Sequence, residues 1–196
     1  MSEKYNNIEK NIALCLEKIT QVQRVLLWDI AKKENLSPIQ IQFLIFLKDH
    51  SDNLRRVSAL AEEFDLTKAT VSEAISNLVT KGILCKFRMK EDRRSYILDF
   101  TSYGMELVKR IMSWPDILVS HIKKMPMKEK ENANLFLIEL IKSLFNDGVI
   151  SIARMCLTCE NVRKFSSGKS FRCDLTGRSF TYNDIIIDCD NYRSFR

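Results

Sequence analysis

Few residues in this sequence break a helix. Five glycines and three prolines are spread over 196 residues, of which 45% are hydrophobic and 29% charged. That balance excludes a disordered chain and fits a globular, largely helical protein with a core of its own. Histidine is nearly absent. His50 and His121 have no serine or cysteine nucleophile at recognisable spacing and read as helix-surface or helix-end residues. There is also no glycine-rich phosphate loop, so the chain is expected not to be an enzyme, and an enzymatic reading would have to lie in the C-terminal tail. No run approaches the roughly 18 apolar residues of a membrane span, and the start, "MSEKYNNIEKN", lacks a cationic segment followed by an apolar one. A cytoplasmic protein without a membrane partner is expected. No internal repeat or low-complexity tract is present.

Positive charge is what the chain has in excess. The formal net charge is +6 and the isoelectric point about 9.0, which favours a polyanionic partner without deciding it.

Along the chain, Ile8, Ile12, Cys15, Ile19, Val22 and Leu26 alternate steps of four and three, the 3.5-residue period of a seam between packed helices. A long first helix follows, and the seam suits a partner helix from a second subunit as well as the chain's own core. Ser37, Pro38 and Gln40 form a helix start with a capping box, and that helix runs to about residue 50. A short helix over 57–64, a turn at Asp65 and Leu66, and a helix capped by Thr67 come next. The Thr67 helix buries Val71, Ala74, Ile75, Leu78 and Val79, and ends at Lys81 and Gly82. "ILCKFRM" and "SYILDF" are strand-like around the polar tip "KEDRR", which makes a hairpin. A helix from about residue 101 to 125 is expected to bend or split at Pro115, and a last one covers about 128–145.

Over 37–104 this order describes a winged helix-turn-helix. The segments "LSPIQIQFLIFL", "VSALAEEFDLTKATVSEAISNLVTKGIL" and "KEDRRSYILDFTSYG" resemble the MarR family of bacterial transcriptional regulators. The last is the most specific, because that family carries a similar Asp-Arg-Arg wing followed by an apolar strand, a Thr and a Gly at this spacing. The resemblance spans roughly residues 8–147 and is strongest over 37–104. It implies repression by promoter occlusion.

The residues themselves assign the roles. With Val71, Ile75 and Leu78 facing inward, Lys68, Ala69, Thr70, Ser72, Glu73 and Ser76 lie on the other faces of the Thr67 helix, where hydroxyls and an ammonium can meet phosphates and base edges in a major groove. Arg93 and Arg94 sit on a hairpin narrow enough to reach the adjacent minor groove. Over 81–94, six basic residues oppose Glu91 and Asp92, a balance of +4. Relatives often carry a basic residue where this sequence has Glu73 or Asn77; Glu73 repels phosphate but can accept from a cytosine amino group. Asp92 is read as pairing with a neighbouring arginine and shaping the wing. The DNA-binding set is therefore Lys68, Thr70, Ser72, Glu73, Ser76, Arg93 and Arg94.

Four of the six cysteines fall in the last 41 residues, in the pattern C-x2-C-x13-C-x15-C: Cys156, Cys159, Cys173 and Cys189. In a reducing compartment such a cluster reads first as a metal site, with free buried thiols, or disulfides or redox pairs, as the other readings. Phe165, Phe171, Leu175, Phe180, Tyr182 and the run 185–187 are too few apolar residues to order about 40 residues, and a metal supplies the missing staple. Zinc is the first choice and a [4Fe-4S] cluster the second. Arg154, Arg163, Lys164 and Arg172 are expected to lower the thiol pKa values. Cys15 and Cys85 are expected to be small buried residues.

The expectation is thus a mainly α chain with a small β-hairpin wing: a winged helix-turn-helix with long dimerisation helices over 1–148 and a small metal-binding module over 149–196. Its function is sequence-specific binding of double-stranded DNA as a homodimer on a palindromic operator, as a transcriptional regulator and repressor, with room for a small-molecule or redox effector. The alternative is a redox or metal-sensing protein whose tail carries the activity while the winged helix serves protein contacts.

Overall fold

A computed structural model describes residues 7–88, 96–165 and 170–195. Helix α1 (Ile8–Glu34) begins where the Asn7 side chain accepts from the Glu9 amide at 3.0 Å, and ends at Asn35 in a left-handed conformation, φ 53°. Helix α2 (Pro38–Asp49) carries the expected capping box: the Ser37 amide donates to Gln40 Oε1 at 3.0 Å and the Gln40 amide to Ser37 Oγ at 3.3 Å. Its Ile41, Phe43, Leu44 and Leu47 are fully buried and form the centre of the core. Helices α3 (Val57–Glu63) and α4 (Lys68–Thr80) add Leu60, Val71, Ile75 and Leu78 to it. No helix among the described residues is long and apolar enough to cross a membrane.

Strands β1 (Leu84–Arg88) and β2 (Tyr96–Phe100) pair antiparallel, with Leu84 opposite Phe100 and Arg88 opposite Tyr96. The base of this hairpin is fixed by Thr101. Its hydroxyl donates to the Gly82 carbonyl at 2.6 Å and accepts from the Gly104 amide at 3.0 Å, so one side chain caps helix α5 (Ser102–Ile111) and ties it to the end of α4. Gly104 is obligatory there: a Cβ would stand 2.0 Å from the Ile83 carbonyl oxygen.

The predicted long helix is split at Pro115 into α5 and α6 (Asp116–Lys123), and α7 (Met127–Asn146) follows. In α6 no residue is buried within the chain, and Ile117, Val119 and Ile122 are exposed. The same holds for much of α1, where Ile8, Leu14, Ile19, Val25 and Trp28 face outward. Glu34 at the end of α1 grips the Arg110 guanidinium of α5 through two hydrogen bonds, 3.0 and 2.9 Å.

The tail forms a small unit of its own. A 3-10 turn (Cys156–Thr158) leads to the antiparallel sheet β3 (Val162–Lys164), β4 (Ser170–Cys173) and β5 (Ser179–Thr181), in that order, and a second 3-10 turn (Tyr182–Asp184) follows. Its buried centre is Cys156, Phe171 and Phe180, with Leu157, Val162, Tyr182 and Ile185 packed against it. Phe165, Leu175 and Ile187, expected in that core, are exposed. They lie on turns and strand ends, beyond the one covered face of a three-stranded sheet.

Candidate nucleic-acid interface and cysteine cluster

Thr67 starts α4 by accepting from the Thr70 amide at 3.2 Å, and the two threonine hydroxyls are 2.9 Å apart. With Val71, Ile75 and Leu78 turned into the core, Lys68, Thr70, Ser72, Glu73 and Ser76 are all exposed on the outward side. A groove of about 320 Å³ runs beside them. It is lined by Arg56 and Ser58 at the start of α3, Ser72 of α4, and Lys86 and Tyr96 of the hairpin. Arg56, Ser58 and Tyr96 were not named from the sequence. The Arg55-Arg56 pair directly before a short helix was the available signal. Arg88 donates to the Tyr96 hydroxyl at 3.2 Å and lies over its ring, 5.6 Å from the centroid. Arg93 and Arg94, with the other residues of 89–95, lie outside the described residues.

Arg55 joins α2 to β2. Its Nε donates to the carbonyls of Leu47 and His50, both at 2.9 Å, and its Nη1 to Asp99 of β2 at 3.3 Å. Its own carbonyl accepts from the Leu98 amide at 2.8 Å. The end of α2 is thereby linked to the wing.

All six cysteines are free thiols. Cys156, Cys159, Cys173 and Cys189 line one cavity of about 120 Å³ in the tail. Among the described residues, however, no group of three or more His, Cys, Asp or Glu side chains is placed so as to hold a metal ion. Burial pushes the Cys156 and Cys189 thiols up, against backbone hydrogen bonds, and the neighbouring cysteines add to the shift. The Cys173 thiol is pulled down, first by the Thr176 hydroxyl and then by backbone hydrogen bonds at Thr176 and Leu175. The expected help from arginines does not appear. Arg154 pairs with Glu63 and Arg163 with Asp174, so each guanidinium is committed to a carboxylate. Cys15 is exposed on α1, contrary to expectation, because the seam it belongs to is uncovered within one chain. Cys85 is half-buried and its thiol donates to the Asp99 carbonyl at 3.4 Å.

The tail is docked on the helical domain beside its cysteines. Arg154, only 4% exposed, reaches Glu63 at the end of α3 and lies over the Phe46 ring of α2, 5.6 Å from its centroid. His50 is a helix-end residue, as expected, being the C-cap of α2, but it is buried. Its ring stacks on Phe46, with centroids 4.0 Å apart, and its Nε2 is 3.0 Å from Asp188 Oδ1. The Ser51 amide donates to Asp190 Oδ1 at 3.1 Å, and the Cys189 amide to the Arg154 carbonyl at 2.8 Å. Arg154 and Asp188 both hold left-handed backbone, φ 38° and 69°, which residues with a Cβ seldom adopt unless their contacts enforce it. On the other side, Asn183 donates to Glu131 of α7 at 3.4 Å.

Residues 34–95, from the end of α1 into the wing, match the family model described as MarR family. Over this segment the chain is similar to the MarR family. Solved structures extend the likeness to most of the chain at low identity, and they establish the winged-helix fold. A MepR–DNA complex from S. aureus is 19% identical, with a TM-score of 0.59, over 67% of this chain and 97% of that one. A MarR protein from Peptoclostridium difficile DA00132 is 20% identical, TM-score 0.56, over 75% and 93%. A MarR transcriptional regulator from Methanosarcina mazei Go1 is 24% identical, TM-score 0.54, over 69% and 97%. Among curated proteins none matches significantly. The tail cysteines lie outside the MarR-family segment.

Proposed function

We propose that the chain is a homodimeric, sequence-specific DNA-binding transcriptional regulator, cytoplasmic, that represses by occupying a near-palindromic operator. The observation that carries it is the exposed polar side of α4, bordered by a groove that Arg56, Ser72 and Lys86 line together. Such a face offers a helix to a major groove and cations to the flanking phosphates. The net charge of +6 agrees with it, and the structurally similar MepR was solved with DNA. Within this reading Lys68 meets phosphate or guanine, Thr70, Ser72, Glu73 and Ser76 read base edges, and Arg93 and Arg94 enter the minor groove. The dimer is favoured by apolar side chains that α1 and α6 leave uncovered, Ile19, Trp28, Ile117 and Ile122 among them. Two-fold symmetry then sets half-sites about one helical turn apart.

The test is binding to duplexes enriched from a random-sequence pool by the full-length protein. Replacing both Arg93 and Arg94 with Ala should weaken binding and lower the salt slope by about 1–2 while the fold persists. An unchanged affinity and slope would remove the wing from the interface.

A further inference from the structure

We propose that Cys156, Cys159, Cys173 and Cys189 together bind one zinc ion, and that the contacts Asp188–His50 and Arg55–Asp99 pass its presence to the DNA-reading face. The second half rests on the DNA-binding function proposed above.

The site is assembled from three separate pieces of chain. Cys156 opens the 3-10 turn and Cys159 closes it, with the Cys159 amide donating to the Cys156 carbonyl at 3.3 Å. Cys173 ends β4 and begins a tight turn, where the Gly177 amide donates to its carbonyl at 2.8 Å. Cys189 arrives from beyond the sheet and still lines the same cavity. What favours a metal is this convergence of four soft ligands in a unit whose buried cluster, among the described residues, is Cys156, Phe171 and Phe180. Closed four-thiolate sets are a common structural zinc site, and so small a core needs a staple. The four thiols line one cavity, and ligation of an ion between them would fix Cys189 in place.

That fixing is the signal. Cys189 stands between Asp188, bonded to His50, and Asp190, bonded to the Ser51 amide, and its own amide is bonded to the Arg154 carbonyl. Fixing Cys189 therefore steadies the contacts on the end of α2. From there Arg55 holds the His50 carbonyl with one group and Asp99 of β2 with another, and its carbonyl receives the Leu98 amide. Opposite Leu98 in the hairpin is Lys86, which lines the groove beside α4. The route joins the cavity to the reading face through hydrogen bonds and strand pairing. Coupling of this kind is established by showing that both ends bias one equilibrium.

Full-length protein purified without oxygen should contain one zinc per chain, lose it to a chelator, and regain it from zinc salt. Cys159→Ser should not retain it, and chelation of the wild type covers the case in which that variant fails to fold. On a duplex enriched from a random pool by the zinc-loaded protein, removing zinc should weaken binding at least tenfold, about 1.4 kcal/mol, and zinc should restore it. Asp188→Asn keeps a side chain tolerant of the left-handed backbone. It should retain zinc and lose the tenfold difference. Metal-free protein with all four tail thiols freely alkylated overturns the site, as does brown protein containing iron and sulfide. Equal duplex affinity with and without zinc, or an undiminished difference in Asp188→Asn, overturns the route. If neither form binds any duplex, the route and the DNA-binding function fail together, while the zinc content is decided separately.

Discussion

His50 and Asp188, 138 residues apart, meet at 3.0 Å, and the other ring nitrogen of His50 lies 2.8 Å from the Phe46 carbonyl. Two oxygens therefore face the two nitrogens, an arrangement that is fully satisfied only when both nitrogens donate, as in the imidazolium. Burial opposes that charge and is the largest single influence. The hydrogen bonds to Asp188 and Phe46, with the charges of Asp188 and Asp190, outweigh it and raise the His50 pKa above 6.5.

A raised folded-state pKa fixes the sign of the pH effect. The contribution of His50 to docking is fully present below 6.5 and is lost as pH rises through the folded value. The carboxyl groups of Asp49, Asp188 and Asp190 face it, Arg154 lies over the Phe46 ring, and Arg55 donates to its carbonyl. Protection factors of tail amides should fall over that interval in the wild type and stay flat in His50→Gln. Parallel behaviour of the two proteins would show that His50 does not hold the tail.

Arg154→Ala should destabilise the protein by on the order of 3 kcal/mol, because it leaves the Glu63 carboxylate without its partner beneath the tail and uncovers Phe46. Urea unfolding measures it. A loss below about 0.5 kcal/mol, the range of ordinary surface changes, would contradict the docking described here.

Gly104→Ala forces a methyl group toward the Ile83 carbonyl, where only 2.0 Å is available. Backbone cannot yield as a flexible side chain can, so the base of the wing has to open. A loss of about 1–3 kcal/mol is expected, and thermal unfolding equal to the wild type would contradict the close approach.

Much of this fold was legible because local rules and tertiary packing agree. Ser37 and Gln40 cap α2, Thr67 caps α4, and Pro115 divides the helix that contains it. The outward side of α4 followed from the period of Val71, Ile75 and Leu78. The docking of the tail was not legible, since no spacing rule relates Arg154 to Glu63 or His50 to Asp188. Those pairs depend on two residues with left-handed backbone, which a sequence marks clearly only when glycine occupies them. For the same reason the arginines near the cysteines were misjudged: nearness in sequence suggested thiolate partners, whereas the chain turns Arg154 toward α3. Cys15 was misjudged because an apolar period does not say whether its partner is the same chain or another.

Ile19→Asp tests that other chain. Ile19 is exposed on α1 within one protomer, so an aspartate there should leave the monomer fold intact and break association by placing an unpaired charge in an apolar interface. Sedimentation at micromolar concentration should show dimers for the wild type and monomers for the variant. A monomeric wild type would end the dimer.

The central claim is most directly tested by sedimenting the full-length protein with a fluorescent duplex enriched from a random pool, over a series of salt concentrations. Two chains per duplex, with affinity falling steeply as salt rises, are the predicted result. Absence of a protein–duplex complex even at low salt would contradict it.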